Sequence, residues 1–106
     1  MEAGFQTPSH NIVCEADQNP NGARVLHCVV FSESGIRGQK TWSMKLTGRA
    51  NVRFVVANIA TEVPVLRYGR SWRWHGIRCT SRRAGLTCRN LSGHGWFLSR
   101  QVQRIF

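Results

Sequence analysis

Cys79-Thr80-Ser81-Arg82-Arg83-Ala84-Gly85-Leu86-Thr87-Cys88 is a hairpin sequence bracketed by two cysteines. Folded about Arg83–Ala84, it sets Thr80 opposite Thr87 and Ser81 opposite Leu86. Cys79 then faces Cys88 directly, at a separation that a cross-strand disulfide spans. A second stretch repeats the pattern. Asn19-Pro20-Asn21-Gly22 is a turn signal, because Pro fixes φ and Gly accepts positive φ. Folding there brings Cys14 across from Cys28 and Ile12 across from Val30. Four cysteines allow three complete pairings, and these registers favour Cys14–Cys28 with Cys79–Cys88. In a loop-entropy account each bridge contributes about 2.5–3 kcal/mol.

Working outward, the chain reads as short strands separated by turns. Strands are expected at 11–15, Arg24–Phe31, Thr41–Leu46, Val52–Ala57, Val65–Tyr68, Trp72–Cys79, Gly85–Arg89 and Trp96–Leu98, and Val102–Phe106 closes the chain. Ser32–Lys40, Thr47–Asn51, Gly69–Ser71 and Asn90–Gly93 read as loops or turns, and a short helix over Ala57–Glu62 is the alternative for that segment. No segment sustains an amphipathic helical face. The expected fold is mostly β: a small antiparallel barrel or sandwich of seven or eight short strands, with two disulfide-braced hairpins. Residues 1–106 carry no repeat or linker and form one domain.

The charge is lopsided. The chain has 106 residues and a formal net charge of +10. Residues 64–106 contain nine Arg and no Asp or Glu, and all five acids lie before them. Such a surface attracts anionic polymers or acidic proteins, and Arg supplies a rigid fork of donors for carboxylate, phosphate or sulfate. The bland alternative is a basic surface that serves solubility alone. The longest apolar stretch, Val52–Ala60, is interrupted by Arg53 and Asn58 and falls far short of the ~20 residues a membrane-spanning helix needs. Membrane insertion is therefore not expected. Neither cysteine pair has the short Cys-x2–4-Cys spacing of a structural zinc site, so no metal and no cofactor are expected. Two disulfides imply an oxidising compartment, periplasmic or secreted. The opening Met1-Glu2-Ala3-Gly4-Phe5 has neither a basic n-region nor an apolar h-region. The expectation is an exported chain whose signal peptide has been removed; the alternative is a cytoplasmic protein with four free thiols.

Two further segments carry a resemblance. One is Phe5-Gln6-Thr7-Pro8-Ser9-His10-Asn11-Ile12-Val13-Cys14-Glu15. The other runs from Leu66-Arg67-Tyr68-Gly69-Arg70-Ser71-Trp72 through Gly76-Ile77-Arg78-Cys79-Thr80-Ser81 and Gly85-Leu86-Thr87-Cys88-Arg89-Asn90 to Gly93-His94-Gly95-Trp96-Phe97-Leu98-Ser99-Arg100. Together they resemble the DUF6636 family of small bacterial secreted or lipoprotein-type domains of unknown function. The resemblance implies an exported, disulfide-bearing domain and supplies no activity. The chain departs from the family pattern at His10, where Gly is usual, and in Lys40–Glu62, which lacks the extra Cys pair of many members.

Three features could carry function. Strand alternation over Trp72-Arg73-Trp74-His75 puts Trp72 and Trp74 on one face and Arg73 on the other. A bulge at Gly76 would re-phase Ile77 and Cys79 to the Trp side and return Arg78 to solvent with Arg70. Burial of the Trp face is favoured, since a small domain needs large core residues; exposed, the two rings would form a stacking platform. The second feature is the basic half, where Arg67, Arg70, Arg73, Arg78, Arg82, Arg83 and Arg89 are the candidate anion-attracting face. The third is His94 between two glycines, a general acid or anion ligand in one reading and a packed turn residue in the other. His27, in the middle of an apolar strand, reads as a satisfied interior or interface residue. No acid follows Glu62 to orient a triad, so no catalytic residue is assigned. The candidate ligand-binding set is Arg70, Trp72, Arg73, Trp74, Arg78, Arg82, Arg83, Arg89 and His94. The expected role is a binding or interaction domain for an acidic protein or an anionic envelope polymer. The alternatives are a nucleic-acid binder, which lacks a recognised motif here, and a small hydrolase using His94. The sequence leaves the oligomeric state open.

Overall fold

The computed structural model describes residues 2–31, 39–55 and 62–106. Ten strands are defined there: β1 (Ala3–Gln6), β2 (Ile12–Gln18), β3 (Arg24–Val30), β4 (Gln39–Lys45), β5 (Asn51–Val55), β6 (Ser71–Trp74), β7 (Ile77–Arg82), β8 (Gly85–Arg89), β9 (Gly95–Leu98) and β10 (Gln103–Ile105). They form two five-stranded antiparallel sheets, ordered β1-β2-β3-β4-β5 and β10-β9-β8-β7-β6. Every neighbouring pair within a sheet is consecutive in the chain, so each sheet is a plain meander. The two sheets pack into a sandwich, the second of the two expected architectures.

The register explains the packing. In the first sheet Phe5, Cys14, Cys28 and Trp42 face one another across β1–β4. In the second, Trp72, Cys79, Cys88 and Trp96 do the same across β6–β9. Each disulfide therefore lies in an inward row, flanked on both sides by aromatics. Cys14–Cys28 and Cys79–Cys88 are both formed, in the registers read from the sequence. These rows join Leu26, Met44, Ile77, Leu86 and Leu98 in one core cluster between the sheets. Each such buried side chain contributes on the order of 1.5–3 kcal/mol.

The expected strands differ from the observed ones in several places. Trp72–Cys79 is two strands, with His75 and Gly76 at φ 47° and 90° forming a tight turn between them. Gly76 thus closes a hairpin and inserts no bulge. Ile77 and Cys79 still share the Trp side, because they pair directly with Trp74 and Trp72. Val65–Tyr68 is reduced to one parallel bridge, Val65 to Gln6, at the free edge of β1. β1 and β10 are not among the expected strands, and β2 runs on to Gln18. Most of the Ser32–Lys40 loop and of the Ala57–Glu62 helix alternative lies outside the described residues; Gln39 and Lys40 belong to β4.

Asn90, 6 % exposed, ties the sheets together after β8. Its Nδ2 donates to the backbone oxygens of Lys45 (3.1 Å) and Gly48 (2.8 Å), in the β4–β5 connection. Its Oδ1 accepts from the N–H groups of Ser92 (3.0 Å) and His94 (3.2 Å). One side chain thereby satisfies four backbone groups at the end of the sandwich.

Candidate anion-binding face

Strand alternation sends every second residue of the second sheet outward. Arg73 pairs with Arg78, Arg78 with Arg89, and Arg89 with Gly95. Three arginines thus stand side by side on adjacent strands, all exposed. Like charges directly opposite are destabilising in a sheet, and no acidic residue exists after Glu62 to offset them here. The next outward row is Ser71, Thr80, Thr87, Phe97 and Arg104. Arg78 Nη2 donates to Ser71 Oγ at 3.3 Å, and Ser71 Oγ lies 3.0 Å from Thr80 Oγ1. Arg82 continues the outward alternation at the end of β7.

Two rings accompany the cations. The Arg89 guanidinium lies over the Phe106 ring, 4.5 Å from its centroid, and Arg104 lies 5.1 Å over Phe97. Gly95 makes the first contact possible. It sits between Arg89 and Phe106 in the row and carries no side chain to separate them. A Cβ at Gly95 would fall 1.7 Å from the Cys88 carbonyl oxygen. The result is a face of guanidinium groups, hydroxyls and half-buried rings. It can donate forked hydrogen bonds to carboxylate, phosphate or sulfate and stack on planar groups.

The residues singled out in the sequence divide. Arg73, Arg78, Arg82 and Arg89 share this face. Arg83, at the β7–β8 tip, turns to Tyr68, with its guanidinium 5.2 Å over that ring. Arg82 and Arg83 also border a concavity of about 310 Å³ with Thr7, Asn11, Tyr68 and Arg100. Arg67 and Arg70 are exposed in the segment leading into β6; Arg70 O accepts from Ser81 N–H, in register with an inward row. Trp72 and Trp74 take the buried arrangement, and the paired platform is not presented outward. Trp74 is 8 % exposed; Trp72 is half-buried, 4.9 Å from Phe5 and 6.5 Å from Trp74 between ring centroids. Trp74 Nε1 donates to the Glu2 carboxylate at 3.1 Å, and His75 Nε2 lies 3.3 Å from the same oxygen. His94 is half-buried in the turn that Asn90 organises, with Nδ1 3.4 Å from the Phe106 backbone oxygen. Phe97, Phe106 and Arg104 join the face without having been singled out. The alternation over β9 and β10 would have placed Phe97 and Arg104 outward, had the pairing of these two strands been evident.

The first sheet carries a different outward surface. Glu15, His27, Ser43 and Asn51 form a polar row across β2–β5. His27 Nδ1 lies 2.7 Å from Ser43 Oγ. Burial pushes the His27 pKa below its usual value, against the opposing pull of Asp17 and Glu15. From the sequence His27 reads as a satisfied interior or interface residue. It is satisfied, but on the face turned away from the core, where it borders a concavity of about 590 Å³.

Among the described residues no group of three or more His, Cys, Asp or Glu is placed to hold a metal ion, and no helix is long and apolar enough to cross a membrane. No curated protein and no solved structure matches the chain. A family model described as a family of unknown function, DUF6636, matches residues 48–106. That segment holds β5, the whole second sheet, Asn90 and the Cys79–Cys88 bridge, while the similar stretch at Phe5–Glu15 lies outside it. The match takes in more than half of the sequence, and the chain belongs to the DUF6636 family.

Proposed function

We propose that this chain is an exported binding domain, working in an oxidising compartment such as the periplasm or the cell exterior. Its partner is a flexible anionic polymer of the cell envelope, held on the outward face of the second sheet. The observation that carries this reading is the in-register row Arg73–Arg78–Arg89. Three neighbouring guanidinium groups without a carboxylate among them cost stability, and an anionic ligand relieves that cost. The hydroxyls of Ser71, Thr80 and Thr87 and the rings of Phe97 and Phe106 extend the face beyond charge alone. The two disulfides suit export.

The test is a titration of heparin, polyglutamate and single-stranded DNA at two salt concentrations, repeated with Arg78→Glu/Arg89→Glu. Binding should fall as salt rises and should drop at least about tenfold in the charge-reversed variant. A preference among nucleic-acid sequences that survives raised salt would replace this reading with a nucleic-acid role. An acidic protein that outcompetes every polymer and leaves a salt-resistant apolar contribution would replace it with a protein partner. Unchanged binding by the double variant would remove the second sheet from consideration.

A further inference from the structure

The first sheet offers a separate site, remote from the arginine row. Its outward concavity of about 590 Å³ falls in the size range of small-molecule pockets. Three parts of its lining differ in chemistry. Val25 and Val29, both buried, give an apolar floor. His27 and Ser43, hydrogen-bonded at 2.7 Å, give a polar centre. Lys45, Arg49 and Arg53, all exposed, form a cationic side along β4, β5 and their connection. Among the described residues none of these three cations makes an ion pair or side-chain hydrogen bond. Thr41 also borders the concavity. It is only 6 % exposed, and among the described residues its buried Oγ1 has no hydrogen-bond partner.

We propose that this concavity binds a small organic anion, with one carboxylate or phosphate head among Lys45, Arg49, Arg53 and Ser43 and an apolar body over Val25 and Val29. The carboxylate of Glu15 lines the opposite side, so a single anionic group is directed toward β5 and a second one is repelled. Burial favours the neutral form of the His27 imidazole. With its proton on Nδ1 the ring donates to Ser43 Oγ, and the Ser43 hydroxyl hydrogen is then free for the anion. An apolar body on a dry floor with one charge-assisted anchor is the usual division of labour in such pockets.

Hexanoate, hexanamide and inorganic phosphate separate the contributions. The probes are titrated into the protein by calorimetry and by NMR of the His27 ring. Hexanoate should bind saturably at one site, shift the His27 resonances, and bind at least about tenfold tighter than hexanamide. Arg49→Gln/Arg53→Gln should weaken hexanoate about tenfold, and both positions are exposed, so the fold is retained. Arg78→Gln/Arg89→Gln on the other sheet should leave hexanoate binding unchanged, which keeps this result distinct from that of the polymer test. Equal affinity for hexanamide would overturn the anionic anchor. Phosphate binding as tightly as hexanoate would overturn the apolar body. Absence of saturable binding, or an undiminished affinity in Arg49→Gln/Arg53→Gln, would overturn the site itself.

Discussion

The two sheets share an interior plan and part company outside. Inward, each presents a disulfide between aromatics in one register row: Phe5–Cys14–Cys28–Trp42 and Trp72–Cys79–Cys88–Trp96. Outward, the first sheet mixes Glu15, Asp17, His27, Ser43 and Lys45 around buried valines. The second presents Arg73, Arg78, Arg82, Arg89 and Arg104 with no acid at all. The interior is constrained by close packing, which penalises any change of volume or polarity. The outward faces carry no such constraint. A concave surface of mixed charge and a cationic one of uniform sign therefore sit on one scaffold.

The largest loss of stability is expected at Gly95. Gly95→Ala places a Cβ against backbone of Cys88 and Arg89, which has no flexible side chain to move aside. The β8–β9 pairing must open, at a cost of about 4 kcal/mol or more. Thermal or urea unfolding should show this loss. If the two sheets form one cooperative unit through their shared core, His27 and Trp96 signals will be lost together; separate transitions would show that the sheets fold independently.

Next in size is Asn90→Ala. The buried amide serves the β4–β5 connection and the β8–β9 turn at once, so its removal leaves four backbone groups without that partner. Urea unfolding should show a loss of about 3 kcal/mol. A loss below about 1 kcal/mol would mean that water replaces the amide and that the clasp is not what joins this end of the sandwich.

Much of this difference was legible in the sequence, and the rest was not for identifiable reasons. The Cys79–Cys88 and Cys14–Cys28 hairpins could be read because a bridge requires facing residues, and facing residues fix a register. The arginine row followed from that register in part: Arg78 opposite Arg89 is implied once Cys79 faces Cys88. The turn at His75-Gly76 was hidden because Trp-Arg-Trp-His continues a strand pattern without interruption. His is one of the few residues that tolerates positive φ, and it occupies that position here without the usual Asn or Asp signal. β1 was hidden because four residues of mixed character gain strand status only by pairing with β2. The site around His27 depends on Ser43 and on the cations of β4, β5 and their connection, distant in sequence, and no local motif brings them together.

A milder change sharpens the contrast. Arg78→Thr removes the middle guanidinium of the row and substitutes a good strand former. It should stabilise the fold by about 0.5 kcal/mol at low salt, because Arg73 and Arg89 lose a like-charged neighbour. The same variant should bind polyanions more weakly. Raising the salt concentration should erase most of the stability gain, since the repulsion it relieves is exposed and screened. A destabilised Arg78→Thr would mean that the Arg78–Ser71 hydrogen bond and the guanidinium stem contribute more than the repulsion costs.

The smallest effect lies on the other face, and its sign is fixed by the direction of the His27 shift. The folded pKa lies below the unfolded value of 6.5, because burial disfavours the imidazolium more than Asp17 and Glu15 favour it. Between the two values the unfolded chain binds more protons, so stability rises with pH through that interval. The contribution of neutral His27 is fully present above 6.5, declines as pH falls toward the folded pKa, and levels off below it. His27→Gln keeps hydrogen-bonding capacity beside Ser43 but cannot titrate. Unfolding free energies measured from pH 5 to 8 should therefore show a shallower slope below pH 6.5 in His27→Gln than in the unsubstituted protein. Parallel curves would mean that His27 binds its proton equally well in the folded and the unfolded chain. The first sheet would then have an open polar surface where the half-buried His27–Ser43 pair is placed.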